Sequence, residues 1–492
     1  MKTTPTLRAS ALVAVTLAAG LLAAGCRDRG SAGNLFIITG GGGSGSTSPT
    51  TSTTTPGSFS LIKSDPGGGT ILESADGKQR KIAGTFYENL TLEAKYTWLL
   101  DAPTFVGDSD GTRPTIITIE AGTTILGRGG TPPSMLVIRQ GARILANGTA
   151  SQPIVMTSAQ PVGARAPGDW GGLVINGKAP VNNTGSGGEL PFGEGGSGRY
   201  GGTNPTDDSG VLNYVRVEFG GHVFTSDDEL NGIAFQGVGS GTTVDHIQIH
   251  RNSDDGIEFF GGTVNVKHVL ITGCLDDSLD WTSGWSGKAQ FVVLQQWPGG
   301  ADNGIEADNL EADNTALPRS HPVISNMTLV GPKDAGAASD IGMQLRRGTA
   351  ANIFNSIVMG MNEYGLDVDD VETWNNAYTD SPGSYNTLSG QLTIQGTLFF
   401  DNALGDFQDD AGDPQTDTAF NAAQTPANTT GTDPKLTDPQ NLSAPNFKPQ
   451  AGSPVLSGFV DPADGFFTTV TYRGAMDDTT DWTAGWTTSA DK

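Results

Sequence analysis

Apolar and polar residues alternate with period two through much of this chain, and between Leu230 and Asp370 the alternation recurs as a repeat. Six short boxes mark it: LNGIAF from Leu230, DDGIEF from Asp254, DDSLDW from Asp276, DNGIEA from Asp302, DIGMQL from Asp340 and EYGLDV from Glu363. Counted from the third residue of each box, the spacings are 24, 22, 26, 38 and 23, the long one holding an extra segment around Leu310–Arg319. A strand-bearing repeat of about 20–25 residues predicts a solenoid, in which each coil buries its apolar side only against its neighbours. Period two also assigns faces. Ile233, Ile257, Leu279, Ile305, Met343 and Leu366 form one inward column, and Phe235, Phe259, Trp281, Ala307, Leu345 and Val368 a second. The column between them, Ala234, Glu258, Asp280, Glu306, Gln344 and Asp367, then points outward. A second strand follows in the coils (VDHIQIH, VKHVLIT, QFVVLQQ, ISNMTLV, IFNSIVM), without helical periodicity. The pattern predicts an all-β parallel β-helix.

Earlier coils are read at TIITIEAGTTILG, MLVIRQGARILANG, PIVMTS, DWGGLVINGKAPV and VLNYVRVEFGG. The Gly- and Asn-rich stretch Asn182–Gly210 reads as a long loop out of one turn, and loops of that length on a solenoid are more often functional than structural. The β-helix is assigned to residues 61–400 and an irregular region, packed along it or partly mobile, to 401–492. DDTTDWTAGW at Asp477–Trp486 repeats DDSLDWTSGW at Asp276–Trp285 in seven of ten positions, and is expected to form a final capping strand.

Residues 1–25 read as a lipoprotein signal: Lys2 and Arg8, an apolar run, then AAGC, which would leave Cys26 as the lipidated residue. An ordinary secretory signal is the competing reading. Residues 26–60 are rich in Gly, Ser, Thr and Pro, a composition that cannot bury a core and suits a flexible tether. The expected location is the cell envelope, at the outer membrane or cell surface, with the lipid as the only membrane contact. The 70 glycines and 36% hydrophobic residues suit a turn-rich solenoid with a thin interior. A formal charge of −25 argues against nucleic acid as a partner. Beyond Cys26 only Cys274 remains, so no intramolecular disulfide is expected, and Cys274 reads as a small core residue.

From about Gly84 to Gly365 the chain resembles a family of bacterial secreted or lipid-anchored right-handed parallel β-helix proteins in the pectin-lyase-like superfamily, mostly uncharacterised. The residues that carry the resemblance are TIEAGTTILG, GARILANGTASQPIVMTS, DWGGLVINGKAPV, YVRVEFGG, DDGIEFFGGTVNVKHV, NGIEADN and the C-terminal GAMDDTTDWTAGWT. It implies a right-handed helix and, by analogy with pectate lyases and polygalacturonases, polysaccharide as a ligand class. NSDDG at Asn252–Gly256 supplies the paired Asp of the polygalacturonase pattern, but its Gly-His-Gly and Arg-x-Lys do not follow.

The outward carboxylates carry the candidate chemistry. Adjacent coils stack about 4.8 Å apart, so Glu258, Asp280 and Glu306 are neighbours, and Asp254, Asp276 and Asp302 line the same face with Asp255 and Asp277 beside them. Asp340 and Glu363 continue that second column. Two unit charges at such a distance repel by about 1 kcal/mol in water and about 3 kcal/mol at an effective dielectric of about 20. Hard oxygen donors suit Ca²⁺, and these eight residues are the candidate ligands. The competing reading is a solvated acidic face, offset by Arg251, Lys267, Lys288 and Arg346. His246 and His268, in a column with Asn326 and Asn355, read as partners of turn backbone groups rather than metal ligands. Trp281 reads as core, whereas Trp170, Trp285 and Trp297 at turns could present a ring to sugar. Arg251, Lys267 and Arg346 are the remaining candidate glycan contacts. The expected function is a lipid-anchored envelope protein that binds polysaccharide or matrix through an acidic, calcium-loaded face. The alternatives are a calcium-dependent polysaccharide lyase or glycoside hydrolase on that face, and a structural or adhesive envelope protein.

Overall fold

The computed structural model describes residues 58–185, 187–225, 228–333 and 341–491. The signal segment, Cys26, most of the tether and Asp340 lie outside the described residues. An antiparallel meander opens the fold, Phe59–Ser64 against Thr70–Ser74 against Gln79–Phe86. From Gln79–Phe86 onward pairing within the solenoid is parallel, coil upon coil, as a right-handed parallel β-helix.

The boxes form one wall. Its register runs Leu136, Leu173, Ile233, Ile257, Leu279, Ile305, Met343, Leu366, each residue paired with the next. Both columns assigned inward from the alternation are buried in a single core. Phe259 stacks at 3.9 Å on Trp285 and at 5.3 Å on Phe235. Trp281 is buried and donates to Thr349 Oγ1 at 3.0 Å. Cys274 is also core, its thiol pushed up to about 12 by burial.

The other two walls are joined in the middle coils into single bent strands, Gly210–Glu218, Thr243–His250, Asn265–Thr272, Lys288–Gln295 and Val323–Val330. The bend falls at Tyr214, His246, His268, Phe291 and Asn326, all with φ between 49° and 60°, and Asn355 continues the column. Such a left-handed corner is uncommon for residues other than glycine and is best tolerated by Asn. Asn326 and Asn355 donate to backbone carbonyls of Tyr472 and Val460, in the C-terminal region rather than in their own turns. The two histidines differ: they stack on each other at 4.2 Å and both place Nδ1 on Asp245 Oδ1, at 2.9 and 2.7 Å.

The C-terminal region packs along the solenoid, as its composition predicts, and it covers the outer face of the bent strands. Leu270, Val293, Val330 and Ile357 bury against Leu436, Phe447, Val455, Ala475 and Met476. The 477–486 segment contains no strand and caps no end; Trp482 packs onto that face and Trp486 O accepts from Arg216 Nη1 at 2.8 Å. Its likeness to Asp276–Trp285 does not extend to conformation, because no neighbouring coil offers it a strand to pair with.

Candidate functional site

The outward column of the box wall changes chemistry midway. Val137, Val174 and Ala234 are paired in register and buried in a small apolar cluster with Met135 and Leu230. The next positions are Glu258, Asp280 and Glu306, paired in the same register. The Asn182–Gly210 loop lies over the apolar half. Asn176 Nδ2 donates to Ser197 O at 3.2 Å, and Tyr200 packs edge-on to Phe260 at 6.1 Å. A Cβ on Gly193 would fall 1.9 Å from Gln236 Oε1, so the loop backbone rests directly on the wall. This placement carries Glu194 to the edge of the acidic half.

There the carboxylates enclose a cavity of about 300 Å³, lined by Glu194, Asp228, Glu229, Asp254, Asp255, Glu258, Asp276, Asp277, Asp280, Asp302 and Glu306. All eight residues expected as ligands from the sequence meet in it. The expectation of a solvated face is corrected: Glu258, Asp254, Asp255 and Asp277 are all buried, because loop residues the repeat does not contain close over them. Three of the lining acids, Glu194, Asp228 and Glu229, were missed by the repeat. The acidic run immediately before the first box, ending in Asp228 and Glu229, was the signal available for two of them.

The second box position forms its own ladder. Asp255 Oδ1 accepts the Asp277 backbone N–H at 3.1 Å, and Asp277 Oδ1 accepts that of Asn303 at 2.5 Å. Asn231, one coil earlier, reaches across the cavity, its Nδ2 donating to Glu258 Oε2 at 2.8 Å and Glu194 Oε2 at 3.3 Å. Asn231 is only 1% exposed, and its Oδ1 has no hydrogen-bond partner; neither has the buried Oδ1 of Asp280.

Burial dominates the electrostatics. It raises the Asp254 carboxyl to about 8, with Glu229 and Asp276 adding to the rise. Burial likewise holds Asp255, Glu258, Asp277, Asp280 and Glu194 well above the usual carboxylate range, reinforced by their acidic neighbours. Asp276 is raised by burial alone, and Glu306 is raised less because Arg346 opposes the effect.

Of the four cations expected to offset the ladder, Arg346 alone does so, pairing with Glu306 and with Asp308 at 3.0 Å. Lys288 pairs with Asp464, Lys267 donates to Thr468 Oγ1 at 3.0 Å, and Arg251 pairs with Asp491 at 3.2 Å, all against the C-terminal region. Trp285 is buried inside the core and Trp170 is buried with its Nε1 on Glu218 O, so neither presents a ring to a ligand. Trp297 is 6% exposed and lies beneath Arg251, whose Cζ is 5.0 Å from its ring centroid.

A right-handed three-walled β-helix with an acid-lined trough on one wall defines the class of protein. The family described as "pectate-lyase like beta helix domain" matches residues 84–439, more than two thirds of the chain, and the chain belongs to it. No curated protein and no solved structure matches.

Proposed function

We propose that this protein binds polysaccharide through a calcium-loaded carboxylate trough on its β-helix, displayed from a lipid anchor at Cys26 on the cell envelope. Family membership supports the coarse part of this reading, a polysaccharide-related role. The observation that carries the finer part is the trough: eleven carboxylates around one cavity, several deeply buried. Leaving such groups ionised without a counter-charge is costly, so each is either protonated or held against a cation. A divalent cation supplies the second. The donors fit one: all are hard oxygens, and the Asn231 and Asp280 Oδ1 atoms are buried with no other partner. Glu229, Asp254 and Asp276 converge, as do Asp255, Glu258 and Asp280, each trio with one oxygen per residue mutually within 4.8 Å. Oxygens that close are within the reach of one calcium ion at about 2.4 Å from each. Bound calcium would leave coordination positions for the carboxylate or hydroxyl groups of a glycan entering the trough.

The same site favours binding over turnover. Lyase chemistry needs a base beside the substrate. The cations at the trough's edge, Arg346 and Arg347, are engaged by Glu306 and Asp308. Calcium added to chelated protein is expected to raise the melting temperature by mass action, and Glu258→Gln/Asp280→Asn/Glu306→Gln to abolish that rise. Acidic polysaccharide is expected to co-sediment with the calcium-loaded protein without release of unsaturated or reducing ends. A melting temperature indifferent to calcium would remove the metal from this reading.

A further inference from the structure

A second cavity lies between Arg251 and the C-terminal segment. It has a volume of about 880 Å³ and is lined by Arg251, Trp297, Leu442, Ser443 and the 487–491 segment. Arg251 is the one formal cation in that lining. Gly273 makes room for it: with φ at 65° it carries no Cβ, which would sit 2.9 Å from the Trp297 ring and 3.0 Å from Arg251 Cδ. The guanidinium lies over the indole, its Cζ 5.0 Å from the ring centroid, with its Nε buried and without a partner. The 487–491 segment is firmly held up to Ala490. Gln248 and Thr488 exchange two hydrogen bonds, at 2.7 and 2.8 Å, and His250 Nε2 meets Ala490 O at 2.7 Å. Asp491 follows that anchor, its side chain 60% exposed, and its carboxylate meets Arg251 Nη2 at 3.2 Å.

We propose that the Arg251 cavity is a second, calcium-independent binding site for a sugar acid or comparable hydroxylated carboxylate, and that Asp491 occupies the carboxylate position as a built-in competitor. The site is made for such a group. A fixed guanidinium offers two parallel donors to a carboxylate, and Ser443, Thr487, Thr488 and Ser489 surround it with hydroxyl and backbone groups suited to a polyol. Asp491 is 60% exposed and Arg251 only 17%; water on the carboxylate side weakens the pair, so an incoming carboxylate displaces it at small cost. The sugar-acid identity rests on the polysaccharide reading above; the anion site itself rests on the cavity alone.

The test is calorimetric titration of sodium glucuronate into the full chain in EDTA, with glucose and sodium sulfate as controls. Glucuronate is expected to bind and glucose not. Asp491→Asn should tighten binding several-fold, since it removes the competitor from an exposed position without disturbing the fold. Arg251→Lys, which keeps the charge but loses the fork, should weaken binding at least tenfold at an unchanged melting temperature. Equal affinity of Asp491→Asn and the parent chain overturns the competitor. Sulfate binding as tightly as glucuronate overturns the sugar-acid assignment. Binding that requires calcium and disappears in Glu258→Gln overturns this site while leaving the trough standing.

Discussion

The two halves of the box wall share one backbone and carry opposite chemistry. In the first half the outward column is Val137, Val174 and Ala234, and in the second it is Glu258, Asp280 and Glu306, in unbroken parallel register. Both halves are covered. The apolar half holds its cover by burial, which contributes about 25 cal/mol for each Å² removed from water. The acidic half is covered by the same loop system through Glu194, and there covering adds charge to charge. A solenoid fixes side-chain spacing and leaves the wall's chemistry free, so an apolar seat and an acid-lined trough can adjoin within one coil spacing. The apolar half stabilises the fold through burial, whereas the acidic half holds carboxyls that burial raises.

The largest effect separates inward from outward. Ile257→Asp places a carboxylate between Ile233 and Leu279 in the sealed core and should cost more than about 4 kcal/mol. Glu258→Gln, one residue on, should raise stability in chelator by removing one charge from the trough. Urea melts of the two variants test the pair, and equal destabilisation would contradict the division between faces.

Next in size is a change at the boundary. Ala234 is sealed under Leu230 and the loop, so Ala234→Asp extends the acidic half one coil into the apolar one and should cost about 2–4 kcal/mol in chelator. Faster proteolysis within 182–210 should accompany it, because the loop loses its apolar seat. Undisturbed loop protection would mean that the cover is held elsewhere.

Register and faces were legible in the sequence because period two is a local property. Every inward residue named from the boxes is buried, and all eight candidate ligands converge. Burial of those ligands was not legible, since it depends on Glu194, Asp228 and Glu229, which arrive from segments with no periodicity to place them. Trp285 follows the strand Leu279–Thr282 as a turn residue, a place open to packing or to sugar contact, and the turn folds inward and stacks it on Phe259. Lys267, Lys288 and Arg251 could not be assigned away from the trough without knowing that the C-terminal region lies along the bent strands and supplies their partners.

Acidity should distinguish the halves more gently. Asp254 titrates at about 8 in the folded chain against an ordinary 3.8, and its buried neighbours are raised as well. The folded state therefore holds protons that the unfolded chain releases, so in chelator stability is greatest near pH 4 and falls as pH rises toward about 8. Saturating calcium should flatten or reverse that slope, because the metal competes with those protons. Thermal melts from pH 4 to 8, with and without calcium, measure it. A chelated protein that gains stability over this range would show the trough carboxylates ionised and paired in the absence of metal.

The smallest change sharpens the boundary most. At the second box position the column passes from Asn231 to Asp255 and Asp277, so Asn231 marks where the ladder gains its charge. Its amide neutralises nothing but bonds Glu258 and Glu194 together, while its Oδ1 waits without a donor. Asn231→Asp removes that bridging donor and adds a carboxylate of the same size. In chelator it should lower stability by about 0.5–1.5 kcal/mol, the net worth of a hydrogen bond. With calcium the added ligand charge should recover part of that loss, so the calcium-induced rise in melting temperature becomes larger than in the parent chain. An unchanged rise would place Asn231 outside the cation's reach and reduce its role to tying the loop to the wall.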